Sequence, residues 1–430
     1  MRILTASLIA GRWTTPLALA SLLFAAMPAP ASADEPPPQD SSRGSVLAAE
    51  REKKAAEVST PERGVVERAL YWYDNQYVLS KIFGGWNGLR LAGGDFPAGA
   101  GTKIGVGYSR GASALSATSG VRANRPGFDT VAAYSTRGYS RVGGAFSLER
   151  IGGAPLDLRV RGQHYKFPQE DFFGLGADSS EENRTNYLLE SSEAGVELQW
   201  KPRKHIDLSG GMTYMRPKVG SGTDSRFQST EQVFDPSTTP GLAAQPDFLR
   251  GDAGVAFDWR DNPLHPHAGG RYGVELSDFR DQDLGSYSFR RMAIELQQYV
   301  PVPNRYRTIA LRAAAVITDP RAGNDVPFFY QPTLGGARQL RGFREFRFQD
   351  RNSLALTAEY RWEASWLLDG ALFVDAGKVA ADRSDLTLRD LEVSYGIGFR
   401  IHSNSAFTAR LDLAFSREGF IPLLRFEHVF

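Results

Sequence analysis

The chain has 430 residues, with 50 Lys+Arg against 49 Asp+Glu, so no global field marks nucleic acid as a partner. It has no cysteine, which excludes disulfides and thiolate metal sites. No internal apolar run reaches about 18 residues, so a membrane-spanning helix is excluded; a transmembrane β-barrel, which shows lipid only alternate side chains, is not.

Taken in order, residues 1–33 read as a secretory signal. Arg2 and Arg12 supply the positive start, residues 16–27 the apolar core, and Ala31-Ser32-Ala33 the cleavage site before Asp34. Residues 34–44 are Pro/Ser/acidic and read as a flexible linker. Residues 45–57 and 61–75 are rich in alanine and charge, with Pro61 at a helix start, so one or two short helices are expected there. Residues 81–101 are glycine-rich and read as irregular. The stretch 34–101 is thus expected to be a periplasmic extension, mobile or docked at the barrel mouth through Leu70, Trp72 and Tyr77.

From residue 102 to 430 the pattern has period two and predicts an all-β fold, a single antiparallel transmembrane barrel. Leu391, Val393, Tyr395, Ile397, Phe399 and Ile401 share one face, and Leu411, Leu413 and Phe415 continue the pattern in the next strand. A soluble sandwich would also alternate. The opposite face decides: Asp157, Arg159, Arg161 and Gln163 in one strand, and Arg271, Gly273, Glu275 and Ser277 in another, suit a polar lumen.

Fourteen strands are counted, nine before residues 333–350 and five after. Short turns are expected at 151–155, 201–204, 261–269, 301–304 and 363–367, and longer external loops at 110–128, 167–186, 217–247 and 319–347. Odd counts on both sides place the 333–350 loop outside the cell and both termini in the periplasm. Trp200, Trp259, Tyr299, Trp362 and Trp366 fall near strand ends, as interfacial girdles do. The 333–350 stretch breaks the alternation with Gly335, Gly336, Arg338, Arg341, Arg344 and Arg347. The strands that follow offer Glu359 and Asp375 on the face read as inner, so the loop is expected to fold into the barrel and dock through Arg341.

Leu340-Arg341-Gly342-Phe343, then Asp350-Arg351-Asn352, Glu359-Tyr360-Arg361 and Phe373-Val374-Asp375-Ala376-Gly377 follow one another at characteristic spacing. Upstream stand Asp258-Trp259-Arg260-Asp261-Asn262-Pro263 and Phe172-Phe173-Gly174-Leu175-Gly176. Together they resemble the outer-membrane barrel superfamily that includes BamA, TamA and FhaC, the bacterial surface antigen family, over residues 104–430. That resemblance implies sixteen strands; residues 89–147 are where an extra pair could lie, since 130–150 is long for one strand. It also implies that Arg341 is the loop arginine and that Glu359 and Asp375 are its lumenal partners, with Gly342 allowing the turn and Phe343 packing on the inner wall. Family members that insert proteins carry POTRA modules before the barrel. No such module is read between residues 34 and 101, so the chain resembles a reduced branch. Phe430, Phe426 and Leu424 fit the terminal signal read by the barrel-insertion machinery, while His428 departs from it.

Other chemistry is weaker. Gly107-Tyr108-Ser109-Arg110-Gly111 matches the hydrolase G-x-S-x-G, and Asp369-Gly370-Ala371 resembles a patatin-type aspartate motif, but no strand–turn–helix surrounds Ser109. His265-Pro266-His267 with Asp261 lacks a strong third metal ligand, so no cofactor, metal or catalytic residue is expected. Arg338, Arg344 and Arg347 face a choice between lipopolysaccharide phosphates and lumenal acids. The expected function is assistance in protein or lipid translocation or assembly at the outer membrane of a Gram-negative bacterium. A passive pore or structural surface antigen is the second reading, a lipid hydrolase the third. Expected partners are outer-membrane lipids including lipopolysaccharide, the insertion machinery, and a client not specified by the sequence.

Overall fold

The computed structural model describes residues 87–92, 96–97, 99–111, 126–263, 265–302, 307–364, 368–402 and 408–425. The expected signal, linker, helices and absence of a POTRA module, together with Leu70, Trp72, Tyr77, Trp366, Phe426, His428 and Phe430, lie outside the described residues.

The strands run β1 Leu89–Leu91, β2 Lys103–Arg110, β3 Pro126–Ser135, β4 Ser140–Leu148, β5 Leu156–Phe172 and β6 Thr185–Arg203. Next come β7 Ile206–Ser221, β8 Phe248–Asp258, β9 Gly269–Asp281, β10 Phe289–Pro301 and β11 Arg307–Pro320. Inside the loop that follows, β12 Thr333–Leu334 and β13 Phe348–Gln349 form a small separate hairpin. The wall resumes with β14 Asn352–Glu363, β15 Leu368–Ala380, β16 Glu392–His402, β17 Thr408–Ser416 and β18 Gly419–Arg425. All except β12 and β13 form one sixteen-stranded antiparallel sheet, each strand paired with its neighbour in sequence. Among the described residues no ladder joins β1 to β18, so the barrel wall is not closed there.

Sixteen strands replace the count of fourteen, and residues 89–148 hold the difference. The segment 130–150 divides into β3 and β4 around a connection of four residues, 136–139, while β1 lies in the stretch read as irregular. A three-residue strand is too short for a period-two pattern to register. The addition also turns the topology over at this end: β2 ends and β3 begins on the side of the short turns, whereas 110–128 was expected among the long loops. The parity at 333–350 survives, with eleven wall strands before it and five after.

The two faces separate as alternation requires. Ile104, Val106, Val160, Val196, Leu198, Met212, Val255, Leu276, Leu372, Val374 and Tyr395 are exposed on the outer wall, where a bilayer would cover them. Arg341, Glu359, Asp375, Arg410 and Asp412 are buried on the inner side. Tyr299 departs from the expected girdle. It is 1 % exposed, because its register places it inward with Gln297, to which its hydroxyl donates at 3.4 Å.

Candidate functional site: the loop lock in the lumen

The loop between β11 and β14 is shaped before it docks. Gly335 and Gly336 take positive φ (122° and 76°), and a Cβ on Gly335 would sit 1.9 Å from the Arg344 carbonyl. Gly336 N–H donates to the Phe343 carbonyl at 3.0 Å, and Phe343 N–H to the Leu340 carbonyl at 3.1 Å. Leu334, Leu340, Phe343 and Phe348 form a core of the loop's own that packs on Ala355 of β14 and Val379 of β15. Phe343 is fully buried there.

This fold presents Arg341 to the wall. Its Nε and Nη2 donate to the two oxygens of Asp375 at 2.8 and 2.7 Å, and its backbone N–H also reaches Asp375 at 3.2 Å. Nη1 donates to Glu359 at 2.5 Å, and the guanidinium lies 3.4 Å from the Phe373 ring centre. Arginine suits this place because a planar fork bonds two carboxylates and stacks on an aromatic at once. Glu359 and Asp375 are both buried against this guanidinium.

The site is larger than the sequence suggested. Glu359 also receives Arg361 at 2.7 Å and Arg400 at 3.0 Å, and Asp412 lies 3.8 Å from Arg341 and 3.2 Å from Arg410. Arg410 in turn donates to the Ala337 carbonyl at 2.9 Å, holding the loop from β17. The signal for Asp412, Arg400 and Arg410 was their shared phase on the polar face of β16 and β17. Their convergence depended on barrel curvature, which one strand does not record.

Gly342 lies in the turn closed by Phe343 N–H on the Leu340 carbonyl, but it is needed there for space and not for backbone freedom. Its φ is not in the left-handed region; a Cβ there would instead lie 2.6 Å from that of Ser394, 2.8 Å from that of Ser416 and 2.8 Å from the Phe415 carbonyl. The glycine permits close approach to β16 and β17, and Ser416 Oγ donates to its carbonyl at 2.6 Å.

The loop is braced on its far side by the Phe172–Gly176 motif. Gly176 N–H donates to the Gln349 carbonyl at 2.9 Å. Arg347 donates to the Ser179 carbonyl at 2.7 Å, to Ser179 Oγ at 3.0 Å and to Glu418 at 2.8 Å, while Arg344 pairs with Glu181 at 3.1 Å. Asn352 clamps the tops of three strands, accepting from Thr318 N–H and donating to the Ala380 and Ala381 carbonyls. Leu424 is exposed on β18.

The weaker motifs find structural duties. Ser109, next to the end of β2, donates to Asp129 at 2.5 Å and accepts from Arg90 at 3.3 Å. Asp369 receives His265 at 2.9 Å, and His265 Nδ1 lies 3.2 Å from His267 Nε2. Asp261 is engaged by the backbone N–H groups of Asn262 and His267. Among the described residues no group of three His, Asp or Glu side chains could hold a metal ion.

A sixteen-stranded antiparallel barrel wall with an inward loop held by a buried arginine defines a barrel of the outer-membrane type. The chain belongs to the Omp85 superfamily, whose domain matches residues 98–419. Among curated proteins none matches the sequence. Of solved structures, BamA from Haemophilus ducreyi lacking POTRA domains 1–3 is 14% identical, with a TM-score of 0.56, over 77% of this chain and 69% of that one. CdiB from Acinetobacter baumannii (12% identity, TM-score 0.44) matches over 75% of this chain and 55% of its own. CdiB from Escherichia coli (13%, 0.47) matches over 79% and 60%.

Proposed function

We propose that this chain works in the outer membrane as a conduit or assembly factor for protein or lipid, with no catalytic chemistry of its own. The observation that carries this reading is Arg341, 1 % exposed, tying the loop to Asp375 and Glu359 inside the lumen. A passive pore needs its lumen free, whereas a locked loop provides a resting state that a client displaces. Energetically the lock suits a switch. Its charges are dry enough to hold the loop, yet Glu359 keeps Arg361 and Arg400 when the loop leaves, and Asp375 keeps the Ser394 hydroxyl at 3.4 Å.

Conductance in planar bilayers tests the reading. The wild-type protein should conduct little at rest, and deletion of residues 333–350 should open a large steady conductance. Equal conductance with and without the loop would support the passive pore and reject the proposal.

A further inference from the structure

Of the arginines considered for lipopolysaccharide, Arg338 is exposed on the loop, Arg344 pairs with Glu181, and Arg347 pairs with Ser179 and Glu418. A different cluster lies on the outer wall. On β9 the outer face reads Tyr272, Val274, Leu276, then Asp278 and Arg280; on β10 it reads Leu296, Ile294, Met292, then Arg290. Asp278 and Arg290 are register partners, so the apolar band ends on both strands at one height. The connection between these strands lies at the same end as the 333–350 loop, by strand parity.

At that boundary one carboxylate serves three guanidiniums. Asp278 lies 2.8 Å from Arg280, 2.6 Å from Arg321 and 3.7 Å from Arg290. Arg280 and Arg290 remain 65 % and 72 % exposed, and Arg321 is 39 % exposed. Asp319, also opposite Arg290, is within 3.7 Å of Arg383. On the neighbouring strand pair Arg216 meets Asp247 at 3.1 Å, and Lys218 is exposed beside it. Within the cluster three guanidiniums share the single Asp278 carboxylate, facing outward directly above lipid-facing Leu276.

We propose that Arg280, Arg290 and Arg321, organised by Asp278, form a binding site for the phosphate groups of lipopolysaccharide in the outer leaflet. The reading rests on the chain being an outer-membrane barrel. Guanidinium forks match phosphate oxygens bidentately. Asp278 holds the three side chains within reach of one another, which lowers the cost of gathering like charges. A glycolipid whose acyl chains lie on Leu276 and Met292 brings its phosphates to this height. A free anion gains nothing from the apolar band below.

Binding of lipopolysaccharide to the detergent-solubilised full-length protein tests the site. The controls are dephosphorylated lipopolysaccharide and inorganic phosphate, and heat-modifiable migration checks the barrel for each variant. Arg280→Ala/Arg290→Ala/Arg321→Ala should weaken binding about tenfold or more, and dephosphorylated lipid should bind wild type as weakly. Asp278→Asn keeps the three guanidiniums but loses the carboxylate that gathers them, so it should weaken binding by less than the triple variant. Triple-variant binding within about twofold of wild type, displacement by equimolar inorganic phosphate, or Asp278→Asn losing affinity like the triple variant would each overturn the proposal. Should the triple variant fail to fold, Asp278→Asn and the dephosphorylated lipid still decide. Failure of wild type to insert into liposomes would instead reject the barrel reading.

Discussion

Among the described residues Asp375 has one guanidinium partner, Arg341, whereas Glu359 has three, at 2.5, 2.7 and 3.0 Å. Removing Arg341 therefore strands Asp375 far more than it strands Glu359. Arg341→Ala should weaken loop docking by about 3–5 kcal/mol if the lumen stays dry, and less if water enters. Arg341→Lys should restore only part of this. Combining Arg341→Ala with Asp375→Asn should be milder than additive by about 1–3 kcal/mol, while combining it with Glu359→Gln should show no such relief, because Arg361 and Arg400 then lose their carboxylate. The chain has no native cysteine, so thiol labelling at Ala337→Cys reports docking directly. Equal coupling in the two cycles would sink this account of the lock.

Gly342→Ala places a methyl group 2.6 Å from Ser394 Cβ and 2.8 Å from the Phe415 carbonyl. Overpacking of this kind costs about 1–3 kcal/mol, so the loop should label faster at Ala337→Cys with the wall intact. Ser394→Gly in the same chain should recover part of the loss. A Gly342→Ala variant with unchanged labelling would show that β16 and β17 yield at this point.

Arg347→Ala removes the side chain that joins Ser179, Glu418 and the Phe348 ring. Hydrogen exchange should rise in residues 176–184 and at 417–418 together, by roughly tenfold or more for the loss of three charged hydrogen bonds. A rise confined to one segment would mean that the brace is two separate contacts.

His267 titrates below its ordinary value of 6.5, because burial and the neighbouring His265 oppose its charge. The unfolded turn therefore takes up its proton first as pH falls. The stability that neutral His267 supports is complete above 6.5 and is lost as pH drops below it towards the folded value. Exchange in residues 261–269, corrected for intrinsic rate, should be faster near pH 5 than near pH 7. His267→Gln should remove the difference; a pH effect that persists in that variant would assign it elsewhere.

The lock was legible because its parts obey local rules: a loop that breaks alternation, and carboxylates at lumenal phase in the strands after it. Arg341, Glu359 and Asp375 were recoverable on those terms, with the family spacing beside them. Asp412, Arg400 and Arg410 carried the right phase but no mark of convergence, since strands that are neighbours in sequence meet the loop only once the sheet curves. Gly342 stands in a turn, but that its lack of bulk is what matters there was not legible, because a glycine's two uses, conformational freedom and lack of bulk, look alike in sequence. Strand β1 escaped because three residues show no period. The outer arginine cluster was invisible for the opposite reason: Arg280, Arg290 and Arg321 come from separate strand ends and are joined only by register.

The sequence distances in the site set an order of assembly. Arg341 finds Glu359 eighteen residues on, Asp375 thirty-four on and Asp412 within the next two hairpins, whereas Gln349 and Arg347 reach far back to Gly176 and Ser179, 168 residues away for Arg347. Contacts of short loop length close early and distant ones late. The carboxy-terminal strands can thus capture their arginine as a local unit while the rest of the wall is still unpaired, and the Phe172–Gly176 brace arrives last. Pulse thiol labelling during refolding should protect Ala337→Cys before Ser179→Cys; the reverse order would place the brace first.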